Sequence, residues 1–221
     1  MDMNKEIRTV YQHFMCMLLF FNAIVVEARP ISYPGGWTVM QKNEMDIHSL
    51  HLHYSPSSQY SVGYRLEYWE NKDWSFHGLQ VNYLIKRWNN MNSQANFYFK
   101  NAVGLAINDG SVFKGHTQAG VFSGIACDWE NRRFFISYEN RGYYLGDIET
   151  LFIQKSRIGV TPYIGNYGDL HTWLMLQVDH NPEVANHVII TPLVRLFKGE
   201  YLAEIGVSDN GDLLLNWIIR F

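Results

Sequence analysis

Asp212-Leu-Leu-Leu-Asn-Trp-Ile-Ile-Arg-Phe221 is the stretch on which the fold turns. Leu213, Leu215, Trp217, Ile219 and Phe221 occupy alternate places, with Asp212, Leu214, Asn216, Ile218 and Arg220 between them. Successive side chains of a strand point to opposite faces, so the stretch is a β-strand with one wholly apolar face. The same period of two recurs upstream. Tyr60, Val62, Tyr64, Leu66 and Tyr68 oppose Ser61, Gly63, Arg65 and Glu67. Leu79, Val81, Tyr83 and Ile85 oppose Gln80, Asn82 and Lys86, while Phe97, Phe99, Val103 and Leu105 oppose Tyr98, Lys100, Ala102 and Gly104. Turn-forming clusters such as Asn89-Asn-Met-Asn92, Asn108-Asp-Gly110 and Asp209-Asn-Gly-Asp212 separate the runs. Together they predict about twelve strands. The expected spans are 36–42, 46–54, 60–69, 74–88, 94–107, 118–129, 132–140, 151–163, 169–179, 185–197, 200–208 and 212–221. Residues 141–150 read as an ambiguous connection.

Composition narrows the function classes. The 221 residues suit a single domain, and no linker or long repeat divides them. Apolar residues make up 47%, too many for a disordered chain. A net charge of −3 offers no basic field for nucleic acid. A mean hydropathy of −0.19 excludes a bundle of transmembrane helices. Two cysteines cannot build a disulfide framework.

The first 28 residues differ from the rest. Lys5 and Arg8 precede an apolar run over residues 14–26, and Val26-Glu27-Ala28 supplies small or apolar residues before Arg29. This is the pattern of a cleaved secretory signal peptide over 1–28, leaving 29–221 as the mature domain. Cys16 lies within that segment, so the mature chain would keep one thiol, Cys127.

Alternation by itself leaves open which face is wet. In an exported soluble β-domain the apolar face is the core; in an outer-membrane barrel it meets lipid and the polar face lines the lumen. Four features favour the second. The strand count is even, behind an export signal. The runs 74–88 and 94–107 exceed the ~9–11 residues that a tilted strand needs to cross a bilayer, against ~5–6 in soluble sheets. Trp69 and Trp74 flank one turn, and Trp88 and Trp129 end two further runs, as expected of aromatic girdles. The chain also ends on Phe221, with Ile219, Trp217 and Leu215 at alternate places before it. This resembles the C-terminal assembly signal of Gram-negative outer-membrane β-barrels. The segment from Tyr163 to Trp173 is similar to stretches of gamma-proteobacterial barrel proteins that bring no assigned activity. The resemblance implies an antiparallel, up-and-down transmembrane β-barrel in the cell outer membrane. Its partners would be outer-membrane lipids, the barrel-assembly machinery during insertion, and small solutes or ions.

The polar faces then supply the candidate lumen: Arg65, Glu67, Lys86, Lys100, Asp128, Arg133, Glu139, Lys155, Arg157, Asp179, Arg195, Glu204 and Arg220. Both signs are present, which suits either a self-satisfied ion-pair network or a narrow channel with a slight anion preference. His48, His51 and His53 form the densest histidine cluster. His51 and His53 share a strand face and could hold a metal with a third ligand. A lipid-active enzyme is the alternative class, with Ser49 beside His51, although that face is the polar one. No cofactor motif occurs, and a channel or structural envelope protein is the expected role.

Overall fold

The computed structural model describes residues 31–110, 115–166, 168–183 and 188–221. The expected signal peptide over 1–28 lies outside the described residues.

Among the described residues the chain forms twelve strands: β1 (Gly36–Glu44), β2 (Ile47–Ser55), β3 (Tyr60–Trp69), β4 (Trp74–Asn89), β5 (Ser93–Asn108), β6 (His116–Asn131), β7 (Phe134–Tyr144), β8 (Thr150–Val160), β9 (His171–His180), β10 (Val188–Lys198), β11 (Tyr201–Val207) and β12 (Leu213–Arg220). Each pairs antiparallel with its sequence neighbours, and β1 pairs with β12, so the sheet closes into a barrel. Closure removes the edge strands whose unpaired N–H and C=O groups lipid could not satisfy. All twelve expected strands are present. The connection expected over 141–150 is instead strand at both ends. β7 runs through Arg141 to Tyr144, and a turn closed by Leu145 N–H donating to Glu149 O (2.9 Å) leads directly into β8.

The wall is apolar outside and polar inside, the inverse of a soluble barrel. Leu50, Leu52, Val62, Leu79, Val81, Val103, Val121, Ile158, Leu174 and Ile205 are exposed. Thr38, Glu44, Arg65, Glu67, Gln80, Asn82, Arg157, Gln177, Glu204 and Asn216 are buried. Soluble domains almost never leave so much contiguous apolar surface bare, whereas a bilayer requires it. The end at which β1 begins and β12 finishes bears an outward aromatic ring set of Trp37, Tyr60, Trp88, Trp129, Phe134, Tyr201 and Phe221.

Trp69 and Trp74 correct the girdle expectation. Both point inward and are almost fully buried, stacked at 5.0 Å between ring centroids. With Phe76, Ala102, Ala106, Phe122, Tyr143, Leu145 and Leu151 they fill the lumen under β3–β8, at the end away from Phe221. The opposite end is partly occupied by the segment leading into β1. Ile31 packs on Leu84, Tyr98 and Ala126, all inward-facing, and Ser32 N–H donates to Ser55 Oγ at 3.0 Å.

Candidate functional site: the barrel lumen

Two smaller apolar clusters, Met40 with Leu202 and Ile218, and Met175 with Leu193 and Leu214, also face inward, and together with the two fillings they leave a cavity of about 1980 Å³. Its lining reaches Met45 and Asp46 in the β1–β2 turn at one end, and Asn90, Asn92 and Gly199 in turns at the other. The cavity therefore runs the length of the wall.

Alternation delivers charged side chains to its middle from many strands, where they sort into two alternating chains. In the first, Glu67 on β3 accepts from Arg65, from Arg141 Nη1 on β7 at 2.9 Å, and from the Tyr143 hydroxyl at 2.9 Å. Arg141 also pairs with Glu139 at 3.2 Å, and Glu139 accepts from Lys100 Nζ on β5 at 2.7 Å. In the second, Glu44 on β1 pairs with Lys155 and, at 3.3 Å, with Arg157, both on β8. Arg157 goes on to Glu204 at 3.0 Å, and Glu204 accepts from Arg195 at 2.7 Å. Asn216 Nδ2 donates to both Glu44 and Glu204 at 2.8 Å, and Asp179 lies 3.6 Å from Lys155. Since β1 and β8 lie on opposite sides of the closed order, the Glu44 pairs cross the lumen. The Arg141–Glu67 pair likewise joins β7 to β3. These ties divide and narrow the passage.

Of the residues expected to line the lumen, Arg65, Glu67, Lys100, Glu139, Lys155, Arg157, Arg195 and Glu204 come together in these networks. Asp128 accepts from Asn96 Nδ2 at 2.7 Å, and Arg220 is buried. Two expectations are corrected. Lys86 faces outward, because the β4–β5 register shifts between Leu84 and Lys86, leaving Ile85 as the extra residue. A bulge inverts the facing of the residues beyond it, so Arg87 takes the inward place and donates to Asn96 Oδ1 at 2.7 Å. Arg133 sits in the exposed turn between β6 and β7. Residues not singled out in the sequence are Lys42, Glu44 and Arg141. The first two end β1, and Arg141 lies on the half of β7 read as a connection. Continuing the alternation Glu139, Arg141, Tyr143 would have found the last.

Lys42 faces the lumen between the two networks, and no ion pair holds it among the described residues. Within the two networks, with Lys42 counted, seven cations face five anions (Glu44, Glu67, Glu139, Asp179 and Glu204), a local positive excess in a cavity whose whole lining is balanced.

The histidine cluster is split by the pleat. His48 faces out near the rim, bonded to Asn43 Oδ1 at 3.1 Å. His51 and His53 face in, edge to face at 5.5 Å. Among the described residues no group of three or more metal-ligating side chains converges. Arg65 Nη1 lies 3.4 Å from His51 Nδ1, a fixed cation where a metal would need a donor. The same contact puts a guanidinium, not an orienting carboxylate, behind His51, so Ser49 and His51 do not form a hydrolytic arrangement.

Ile219 and Trp217 lie on the outer face of β12 and the exposed Phe221 directly follows it, while Trp217 Nε1 donates to Gln41 Oε1 at 3.0 Å across the closing seam.

Fold and lumen together define a membrane-spanning β-barrel with a polar interior passage. Among solved structures, the chain is similar to the KdgM porin in complex with disordered oligogalacturonate. That match has a TM-score of 0.47 and 12% identity, and covers 84% of this chain and 98% of that one. It is also similar to the KdgM porin (0.45, 10%, 84% and 96%) and to the NanC porin (0.39, 11%, 84% and 97%). No protein-family model matches, and no curated protein matches in sequence.

Proposed function

We propose that this protein is an integral outer-membrane β-barrel that acts as a narrow channel for small solutes, with a weak preference for anions. The observation that carries the reading is the cavity lined by the two charged networks, whose walls reach turns at both ends of a closed barrel with an apolar outside. A lumen built only for stability would be filled throughout, as it is under Trp69 and Phe122. Here the filling stops and charged side chains face a passage instead. The cross-lumen ties limit that passage to small molecules, and Lys42 gives the anion bias. Outer-membrane lipids would surround the wall, and the barrel-assembly machinery would close it.

Single-channel recording of the purified protein in a planar bilayer tests the reading. Discrete conductance steps are expected, with a reversal potential on the anion side in a salt gradient. A folded, inserted protein without conductance would overturn the channel and leave a structural envelope protein.

A further inference from the structure

The inner face of β1–β3 carries more hydrogen-bond donors than acceptors. Lys42 on β1 and Ser49 and His51 on β2 line the cavity beside Arg65 on β3. Lys42 stands opposite Ser49 in register, one inward place along from His51, and His51 stands opposite Arg65. Side chains at opposed and diagonal places of paired strands lie within reach of one another.

The acceptors of this region are already taken. Glu67 holds Arg65, Arg141 and the Tyr143 hydroxyl, and Glu139 holds Lys100 and Arg141. Gln80 Oε1 accepts from Arg65 Nη1 at 3.0 Å, and Asn82 Oδ1 accepts from Gln80 Nε2 at 2.6 Å.

Donors are left over. No ion pair holds Lys42 among the described residues. Arg65 Nε and the Thr38 hydroxyl are buried without a hydrogen-bond partner among those residues. His51 adds a further donor. Arginine can only donate, so the 3.4 Å contact of Arg65 Nη1 with His51 Nδ1 makes that nitrogen the acceptor. The ring hydrogen then sits on Nε2, which has no partner in a side chain only 5% exposed. A protonated ring would donate from Nε2 as well.

The charges agree with this surplus. The charged groups that act most strongly on His51 and His53 are Arg65, Lys42, Lys100 and Arg141, all cations. Water answers such a corner poorly, because each molecule brings two hydrogens that need acceptors of their own. A small anion with several separate oxygens accepts on every side and brings the missing charge.

Resting on the channel reading above for its part in transport, we infer that the corner formed by Lys42, His51 and Arg65 is a binding site for a small inorganic oxyanion of the sulfate or phosphate type. The Lys42 ammonium and the His51 Nε2–H hold the ion, and the flexible lysine stem closes on it. Lys42 lies between the two networks, so an anion crossing the lumen meets this corner on its way.

The test uses the full-length protein in detergent micelles, where binding is read without a current. Calorimetric titration with sodium sulfate and with sodium phosphate, against sodium chloride at equal ionic strength, should show one saturable site per chain for an oxyanion and none for chloride. Lys42→Met and His51→Phe should each weaken binding at least ~10-fold, the loss expected of one charge-assisted hydrogen bond. Lys42→Arg, which keeps the charge and the donors, should retain binding. So should Arg133→Gln, which removes a cation from the exposed β6–β7 turn. In the unmutated protein the His51 ring-nitrogen resonances, assigned by their loss in His51→Phe, should move on saturation, a readout that does not depend on how the variants fold. In a planar bilayer the same oxyanion should reduce chloride current, half-maximally near the calorimetric constant. Lack of saturable heat with both oxyanions, unmoved His51 resonances, or equal weakening by Arg133→Gln and Lys42→Met overturns the site. Saturable binding by an inserted protein that passes no current leaves the site standing and removes the channel. Current without saturable binding removes the site and leaves the channel.

Discussion

The backbones of Trp37 and Phe221 exchange two hydrogen bonds, Trp37 N–H to Phe221 O at 2.6 Å and Phe221 N–H to Trp37 O at 3.0 Å. The last residue of the chain thus completes the seam between the first and last strands. Deleting Phe221 removes both bonds, at roughly 0.5–1.5 kcal/mol each, and leaves a frayed edge facing lipid. Phe221→Ala keeps the backbone bonds. The folded, heat-modifiable fraction should fall much further for the deletion than for Phe221→Ala, on gels run with and without boiling.

Val81 is exposed in the middle of the outer face. Val81→Arg puts a charge on the lipid side and should destabilise the barrel by ~2–4 kcal/mol in urea titration within vesicles. Gln80, its neighbour, is no neutral site either. Its Oε1 accepts from Arg65 at 3.0 Å and its Nε2 donates to Asn82 at 2.6 Å. Gln80→Arg should therefore also destabilise, through crowding of cations in the lumen. Gln80→Glu, which keeps an acceptor for Arg65, should cost less than Gln80→Arg in the same titration.

Glu44 is shared by Lys155 and Arg157. Glu44→Gln strips one charge from between two cations. A dry ion pair broken in this way loses ~3–5 kcal/mol, and the lumen cavity reduces the loss to about 1–3. The reversal potential in a salt gradient should shift toward anions. An unchanged potential in a conducting protein would show that the ions pass elsewhere.

Lys42 offers the complementary variant, since no ion pair holds it among the described residues. Lys42→Gln should reduce the anion preference with little change in the urea midpoint, a split between selectivity and stability that Glu44→Gln does not give.

The two tryptophan sets can be told apart by truncation. Trp74 is 1% exposed within the inner cluster, whereas Trp88 is 47% exposed on the outer wall. Trp74→Ala should cost ~3–5 kcal/mol by opening a cavity. Trp88→Ala should cost clearly less and weaken mainly the anchoring at the bilayer surface, read as fluorescence quenching by headgroup probes.

Most of this architecture could be read from the period of two. The outward and inward sets of β3 and β12 are the two faces visible in the sequence from Tyr60 to Trp69 and from Asp212 to Phe221. What escaped reading falls into two kinds. Trp69, Trp74 and Arg141 share the alternation of Glu67, Gln80 and Glu139 and were legible in principle; chemical habit assigned the tryptophans to a girdle, and the segment after Asn140 has no hydrophobic contrast to mark it as strand. Lys86 belongs to the second kind. A bulge at Ile85 depends on the pairing between β4 and β5, and a single strand does not display it. The ties across the lumen escape for the same reason, since Glu44 and Lys155 are 111 residues apart and meet only once the sheet closes.

Those ties also make the barrel stiff. A closed sheet held only by its own ladder can flatten into an ellipse under lateral pressure, because bending between strands costs little. A brace from β1 to β8 fixes one diameter, and the link from β3 to β7 fixes another chord. The cross-section should therefore stay the same in bilayers of different thickness and tension. Loss of Glu44 would then appear as conductance that varies with the lipid, in a protein whose wall is otherwise intact.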